Sequence, residues 1–314
     1  MNNIRRGLQQ YLGVRASLGY KLEHERTVLA KFLSFLDAEG ASHITSDLAL
    51  RWATQSVGVQ PWTWSWRLGM VRRFAAWFSA LDSRTEIPAQ GLLPHRFHRP
   101  RPYIYSDTEI ERLIQTAAHL PSPKGIRGAT YSTLFGLLAV TGMRLGEAIS
   151  LDRDDVDLVE GILTIRRTKF RKSRLIYVHP STQTALKEYA QIRDRVFRQS
   201  KPTPAFFLTE RANRPSINMT EWTFVQVSRT VGVRASGKGR GNGPRLHDLR
   251  HRFAVRTLID WYRAGLDVER ELPKLATYLG HKHVNATYWY IEAVPELLQL
   301  ATNRLQWSNP GGKP

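Results

Sequence analysis

The chain has 314 residues, and its 46 Lys and Arg outnumber 27 Asp and Glu for a formal charge of +19; that length suits two soluble globular domains with enough apolar content for a core in each. The positive excess is spread along the chain, with 14 basic and 7 acidic residues up to position 105 and 32 and 20 after it, and a polyanion such as nucleic acid relieves such a charge by releasing condensed counterions. With no cysteine, disulfides and thiolate metal sites are excluded, and the longest apolar run, Leu134 to Val140, is far too short to span a bilayer.

At the N-terminus Arg5 and Arg6 are followed by Gln9 and Gln10 in place of an apolar stretch, so secretion is not indicated and a cytoplasmic location is expected. From His24 the residues Val28, Leu29, Phe32, Leu33 and Leu36 fall at helical spacing, with Gly40 placed as a C-cap. A second helix follows Pro61, where Leu68, Val71, Ala75 and Phe78 form one stripe beside Arg67, Arg72 and Arg73. Trp62, Trp64, Trp66 and Trp77 crowd the same stretch; stacking on bases is one use for them, but aromatics at helical spacing more often belong to a core. Residues 1–93 therefore read as a small helical bundle.

Three prolines and three arginines in PHRFHRPRP, residues 94–102, rule out regular helix, and residues 94–105 read as a basic linker. Ser106 and Glu109 then stand at capping-box spacing ahead of Ile110, Leu113 and Ile114, which opens a second domain over 106–314. Tyr131 to Val140 is apolar enough for a buried helix. Alternation over Gly161 to Val178 predicts a β-hairpin, although its turn lacks Gly or Asn. The stretch ASGKGRGNGPR, residues 235–245, is a Gly-rich basic loop without the preceding strand of a dinucleotide site. From Pro295 through Leu297, Leu298, Ala301, Leu305 and Trp307 the spacing predicts a short amphipathic tail helix. The fold expected is mainly α with a small β-sheet.

Several residues in the second domain suit phosphoryl transfer, which needs an oxygen nucleophile, cations on the non-bridging oxygens and an acid for the leaving oxygen. Arg144 follows the apolar helix in TGMRLGE, where, taken alone, it is better explained as a simple partner for Glu147 three residues on. HDLRH at 247–251 puts Arg250 and His251 on the helical face of His247. Imidazole and guanidinium groups crowd together at a cost unless an anion sits among them, and a phosphate fills that role. His247 and His251 also stand at the spacing of a zinc-protease helix, yet Asp248 and Arg250 fit that chemistry poorly. In LGHKHVNATYWYI, a phenol with an ordinary pKa near 10 needs neighbouring cations to become a nucleophile; taken alone, Tyr288 to Tyr290 is an ordinary aromatic patch.

The order Arg144 in TGMRLGE, Lys169 in TKFRKSRLIYV, His247 and Arg250 in HDLRH, His281 in LGH and then Tyr290 resembles the tyrosine recombinase (phage integrase) family over residues 106–291. By position, length and helical pattern, residues 1–93 resemble that family's core-binding domain. The resemblance implies a site-specific DNA strand-exchange enzyme with a C-terminal catalytic domain, using no cofactor and no metal. It implies that Tyr290 attacks the scissile phosphate to give a 3′-phosphotyrosyl link, with Arg144 and Arg250 on the phosphate oxygens. Lys169, in the hairpin turn, would protonate the leaving 5′-oxygen, with Arg171 and Lys172 as competitors; His247 would assist proton transfer and His281 would hydrogen-bond the phosphate. Double-stranded DNA is the partner implied, with a monomer in solution, a homotetramer on paired sites and no membrane. The tail helix docks on a neighbouring protomer in the family, and packing on its own domain is the alternative. A type IB topoisomerase-like enzyme and a non-catalytic DNA-binding protein of the same fold are the competing functions.

Overall fold

A computed structural model describes residues 3–20, 22–94, 101–166, 173–235, 243–280 and 283–307. Linker residues 95–100, the hairpin turn with Lys169, Arg171 and Lys172, most of the Gly-rich loop, and His281 lie outside the described residues. The chain forms two compact units, Met1–Pro100 and Arg101–Pro314.

The first unit is four helices: α1 (Asn3–Ser17), α2 (Glu23–Ala38), α3 (Ser46–Thr54) and α4 (Pro61–Phe78). Helix α2 ends where Gly40 takes a positive φ of 64°, with its N–H on the Asp37 carbonyl, as expected of the glycine at that place. Pro61 begins α4 at the position where a missing N–H costs nothing. The predicted stripe of Leu68, Val71, Ala75 and Phe78 is fully buried and meets Phe32, Leu33 and Leu36 of α2 in a single core. The tryptophans divide differently from the expectation. Trp66 and Trp77 pack on the edge of that core, while Trp62 and Trp64 are only half-buried, Trp64 donating its indole N–H to the Ser56 carbonyl.

The second unit opens with α5 (Asp107–Ala118), whose N-terminus is the predicted capping box: Ser106 Oγ accepts from the Glu109 N–H, and the Glu109 carboxylate accepts from the Ser106 N–H. The buried apolar stretch is α6 (Arg127–Thr141), which packs against α5, α8 (Pro180–Val196) and α10 (Asp248–Arg263). Between α7 (Leu145–Ile149) and α8 lies an antiparallel sheet of three short strands, β1 (Val156–Asp157), β2 (Ile162–Ile165) and β3 (Arg174–Tyr177). The hairpin pairs Leu163 with Ile176 and Ile165 with Arg174. Helix α9 (Ile217–Thr230) completes the core around α6. A second core joins α10 to α11 (Val268–Leu279), α12 (Asn285–Ala293) and the tail helix α13 (Pro295–Trp307) through Leu258, Leu272, Leu275, Tyr290 and Leu297. Leu297 is fully buried in this unit's own core while Leu298 is exposed, so α13 packs on α10 and α12 along one face. Among the described residues, no helix is long and apolar enough to cross a membrane.

Candidate active site

Two helices end at the site, and the two arginines singled out in the sequence are bound to those ends. Helix α6 stops at Gly142 and α11 at Gly280, each in the left-handed conformation with φ of 60° and 68°. A side chain at Gly142 would place its Cβ 2.5 Å from the Phe253 ring, so both backbone and space demand glycine there. The last carbonyls of a helix lack intrahelical donors and carry the negative end of its dipole. Arg250 donates through Nη1 to the Gly142 carbonyl at 2.8 Å and through Nη2 to the Leu279 carbonyl at 2.7 Å, joining the two ends. Arg144 donates through Nη2 to the very next carbonyl, that of Gly280, at 2.9 Å. Residues 106 positions apart in the chain therefore set their guanidinium groups on consecutive peptide carbonyls.

Glu147 supplies the countercharge. It takes the second part expected of it, accepting from Arg144 Nη1 at 2.9 Å and from the Arg144 N–H at 3.0 Å. It also accepts from Arg174 Nη2 at 2.7 Å and Nη1 at 3.2 Å, a bidentate pair that the sequence reading did not include. Burial alone would raise the Glu147 carboxyl, but the hydrogen bonds from Arg174 and the Arg144 backbone outweigh it and hold the group below its ordinary range. Arg250 is 3% exposed, and among the described residues its guanidinium donates to carbonyls, with no ion pair to a carboxylate. Burial, and then the charge of Arg144, pull it down to about 10, while Tyr290 and Glu147 push the other way. Three guanidinium groups thus share one carboxylate and two helix ends, a setting with surplus positive charge.

Arg174 was legible in principle. It and Ile176 lie two apart on β3, on the face where Ile176 is fully buried, and an arginine on the buried face of a strand requires an acidic partner. Removing that partner tests the arrangement. Glu147→Gln leaves Arg174, 12% exposed in its side chain, and Arg144 without a counterion; unfolding in urea is expected to show a loss of about 3 kcal/mol. A loss under about 0.5 kcal/mol, the range of an ordinary surface change, would show that the carboxylate does not hold the arginines.

The histidines and tyrosine lie on the other side of Arg250. His247 stands immediately before α10, making no side-chain capping bond, and Arg250 follows on its first turn; both contribute to the wall of a small cavity of about 90 Å³ with Met143, Leu145 and Glu221. The His247 ring is open to solvent on one side, yet the protein packed around it, followed by the Arg250 charge, lowers it to about 4, so it is neutral at pH 7. An unfolded histidine binds a proton below its usual pKa near 6.5, which the folded ring resists down to about 4. Stability is therefore complete above pH 6.5 and declines as the pH falls through that window. Because the ring is exposed, screening limits the loss to about 1 kcal/mol at pH 5. His247→Gln should flatten the urea-unfolding difference between pH 7 and pH 5, and an unchanged slope would contradict this.

Tyr290, on α12, is 1% exposed. Its hydroxyl lies 3.1 Å from Nδ1 of His251, itself 2% exposed, and the His251 ring meets that of His247 edge-on with centroids 4.8 Å apart. Tyr288 points elsewhere and is 40% exposed, and His283 is exposed. Of the six residues named from the sequence, Arg144, Arg250, His247 and Tyr290 are placed around one another; Lys169 and His281 are outside the described residues. Glu147, Arg174 and His251 join them. Among the described residues no group of three His, Asp or Glu is arranged to hold a metal ion.

A family model described as the phage integrase family matches residues 104–296. A putative integrase/recombinase of Sinorhizobium fredii is 45% identical over 309 residues, 98% of either chain. A second putative integrase/recombinase of that organism is 38% identical over 298 residues, covering 95% of this chain and 94% of its own. Among solved structures, the fold is similar to the Tn1549 transposon integrase in complex with transposon right end DNA, with a TM-score of 0.62, 15% identity and coverage of 98% of this chain and 100% of that one. It is also similar to a lambda integrase tetramer bound to a Holliday junction, with a TM-score of 0.60, 17% identity and coverage of 89% and 77%.

Proposed function

The chain belongs to the phage integrase family, the tyrosine recombinases that cleave and rejoin DNA strands, and we propose that Tyr290 is its nucleophile, acting on double-stranded DNA at the ends of a mobile element. The observation that carries the assignment is the placing of Arg144 and Arg250 on consecutive carbonyls, with Arg250 in turn within electrostatic reach of the Tyr290 phenol. A guanidinium fork has five N–H donors, and the described carbonyls take two of those of Arg250. A phosphate is the anion that matches two such planar forks and the surplus positive charge around them.

In this reading Arg144 and Arg250 bind the non-bridging oxygens and stabilise the charge that grows on them in the transition state. Tyr290 forms a 3′-phosphotyrosyl bond as the 5′-oxygen leaves. Lys169 gives that oxygen its proton, His247 assists proton transfer around the nucleophile, and His281 hydrogen-bonds the phosphate. The energy of the broken phosphodiester is retained in the new one, so religation to a partner strand requires no nucleotide cofactor. Residues 1–93 form the core-binding domain, 94–105 the linker and 106–314 the catalytic domain. The protein is a cytoplasmic monomer that assembles as a homotetramer on paired sites. The two similar putative integrase/recombinases and the fold shared with a transposon integrase support the mobile-element role.

The test is incubation with nicked suicide duplexes taken from the junctions that flank the protein's own coding element, followed by a denaturing gel. A protein band retarded by covalently attached DNA, equal in yield with and without EDTA, is expected. A chelator-sensitive product, or no covalent product from any junction sequence, would overturn the reading.

A further inference from the structure

The resemblance that assigns His247 to proton transfer leaves the neighbouring His251 without a role, yet His251 is the histidine whose ring nitrogen stands 3.1 Å from the Tyr290 hydroxyl. The contact is built in. Both residues are almost completely buried, and their ring centroids are 5.4 Å apart. Trp289 of α12 lies against the same imidazole at 5.4 Å, and His247 closes its other side. The far nitrogen of the ring, Nε2, faces Oδ1 of Asp248 at 3.9 Å. Asp248 is 2% exposed and held in place by the Arg245 N–H at 2.7 Å and Arg245 Nη2 at 3.0 Å. A carboxylate, an imidazole and a phenol thus stand in sequence, the first two from α10 and the third from α12.

We propose that His251 is a catalytic residue, the base that takes the hydroxyl proton of Tyr290 during strand cleavage and returns it on religation. This rests on the assignment of Tyr290 as nucleophile. A phenol is a weak nucleophile until its proton is removed, and a base must first be within hydrogen-bond reach of that proton. The Tyr290 O–H donates to Nδ1 when the imidazole is neutral with its proton on Nε2, the tautomer that the facing Asp248 carboxylate favours. As the Tyr290 oxygen forms its bond to phosphorus, its proton moves to Nδ1 and the P–O5′ bond breaks. The leaving oxygen takes a proton from the general acid proposed above. In the reverse step the 5′-hydroxyl attacks and gives its proton back to Lys169, the phosphotyrosyl bond breaks, and the proton on Nδ1 goes back to the phenolate.

The charged groups around the ring make the transfer dependent on substrate. Among the described residues they include Asp248 and the neutral His247 from α10, with Arg245 on Asp248 just ahead of the helix, and Tyr290 from α12. A bound phosphate anion favours the imidazolium at the moment the phenolate is needed.

Positioning and proton transfer are separable by substitution. Asparagine presents an amide near the place of Nδ1, able to hold the phenol by a hydrogen bond but unable to accept its proton. Single-turnover covalent capture on a cleavable junction duplex is measured for the full chain and for His251→Asn and His251→Ala, with gel-shift binding and circular dichroism as controls. A base contributes roughly 10²–10⁴ in rate, so His251→Asn is expected to cleave at least 100-fold more slowly while binding DNA as the parent does. Added imidazole should restore part of the rate of His251→Ala, in proportion to the neutral imidazole present. Cleavage by His251→Asn within threefold of the parent would overturn the proposal even if His251→Ala fails to fold. So would a folded, DNA-binding His251→Ala that imidazole leaves unchanged. Failure of the parent chain itself to form a covalent product would instead strike the assignment of Tyr290.

Discussion

Tyr290→Phe is expected to abolish covalent capture of nicked DNA, whereas Tyr288→Phe should retain it within about twofold, as surface changes remote from the chemistry usually do. The two tyrosines are two residues apart on α12, and a turn of 3.6 residues sends them to nearly opposite faces. Tyr290 faces the core, with its hydroxyl on His251, while Tyr288 is 40% exposed. Phenylalanine fills the same space, so the substitution removes the hydroxyl oxygen and its hydrogen bond to His251. Its cost in stability is about 1 kcal/mol, and the variant should melt cooperatively and bind DNA. Loss of the adduct from a folded, DNA-binding protein then reports on the nucleophile alone. A covalent band surviving in Tyr290→Phe, or vanishing in Tyr288→Phe, would move the chemistry to another side chain; the peptide cross-linked to DNA, identified by mass spectrometry, checks which.

Much of this site was legible because its parts sit at helix boundaries, where sequence signals are strong. The apolar helix that Arg144 follows is α6, and the helix beginning at HDLRH is α10, whereas α11 and its end at Gly280 were not read from the sequence. The capping box at Ser106 and the proline that begins α4 follow from the same local chemistry. The hairpin was readable from its flanks alone, since Ile162 to Ile165 and Arg174 to Tyr177 alternate as strands do. What escaped was tertiary. No side-chain pattern shows that the carbonyls of Gly142, Leu279 and Gly280 converge, because every residue carries the same carbonyl; only the fold selects these three. Glu147 was seen as a local partner for Arg144, but its second partner, Arg174, arrives from a strand 27 residues away. Likewise His251 shares a helical face with His247 in any reading of the sequence, but its bond to Tyr290 depends on how α12 lies across α10.

Arg250→Lys preserves the charge and is nonetheless expected to lower single-turnover cleavage by roughly 10³-fold, the scale on which a transition-state arginine acts. The reason is geometric. Arg250 bridges Gly142 and Leu279 with two separate nitrogens at 2.8 and 2.7 Å, and a single ammonium cannot meet both carbonyls and a phosphate oxygen in one plane. One buried carbonyl would lose its donor, which costs about 1–3 kcal/mol, and the ends of α6 and α11 would no longer be tied through a side chain. A lysine at this depth, beside Arg144, would also be driven to shed its proton, as burial already lowers Arg250 to about 10. The same change at Arg144 is less damaging to the fold, since that side chain is 32% exposed and anchored through Glu147 as well as Gly280. Urea unfolding should therefore separate Arg250→Lys from Arg144→Lys, while covalent capture is impaired in both. Equal stability of the two variants would mean that the carbonyl bridge contributes little. Near-parental cleavage by Arg250→Lys would mean that charge alone, without the planar fork, is what the phosphate requires.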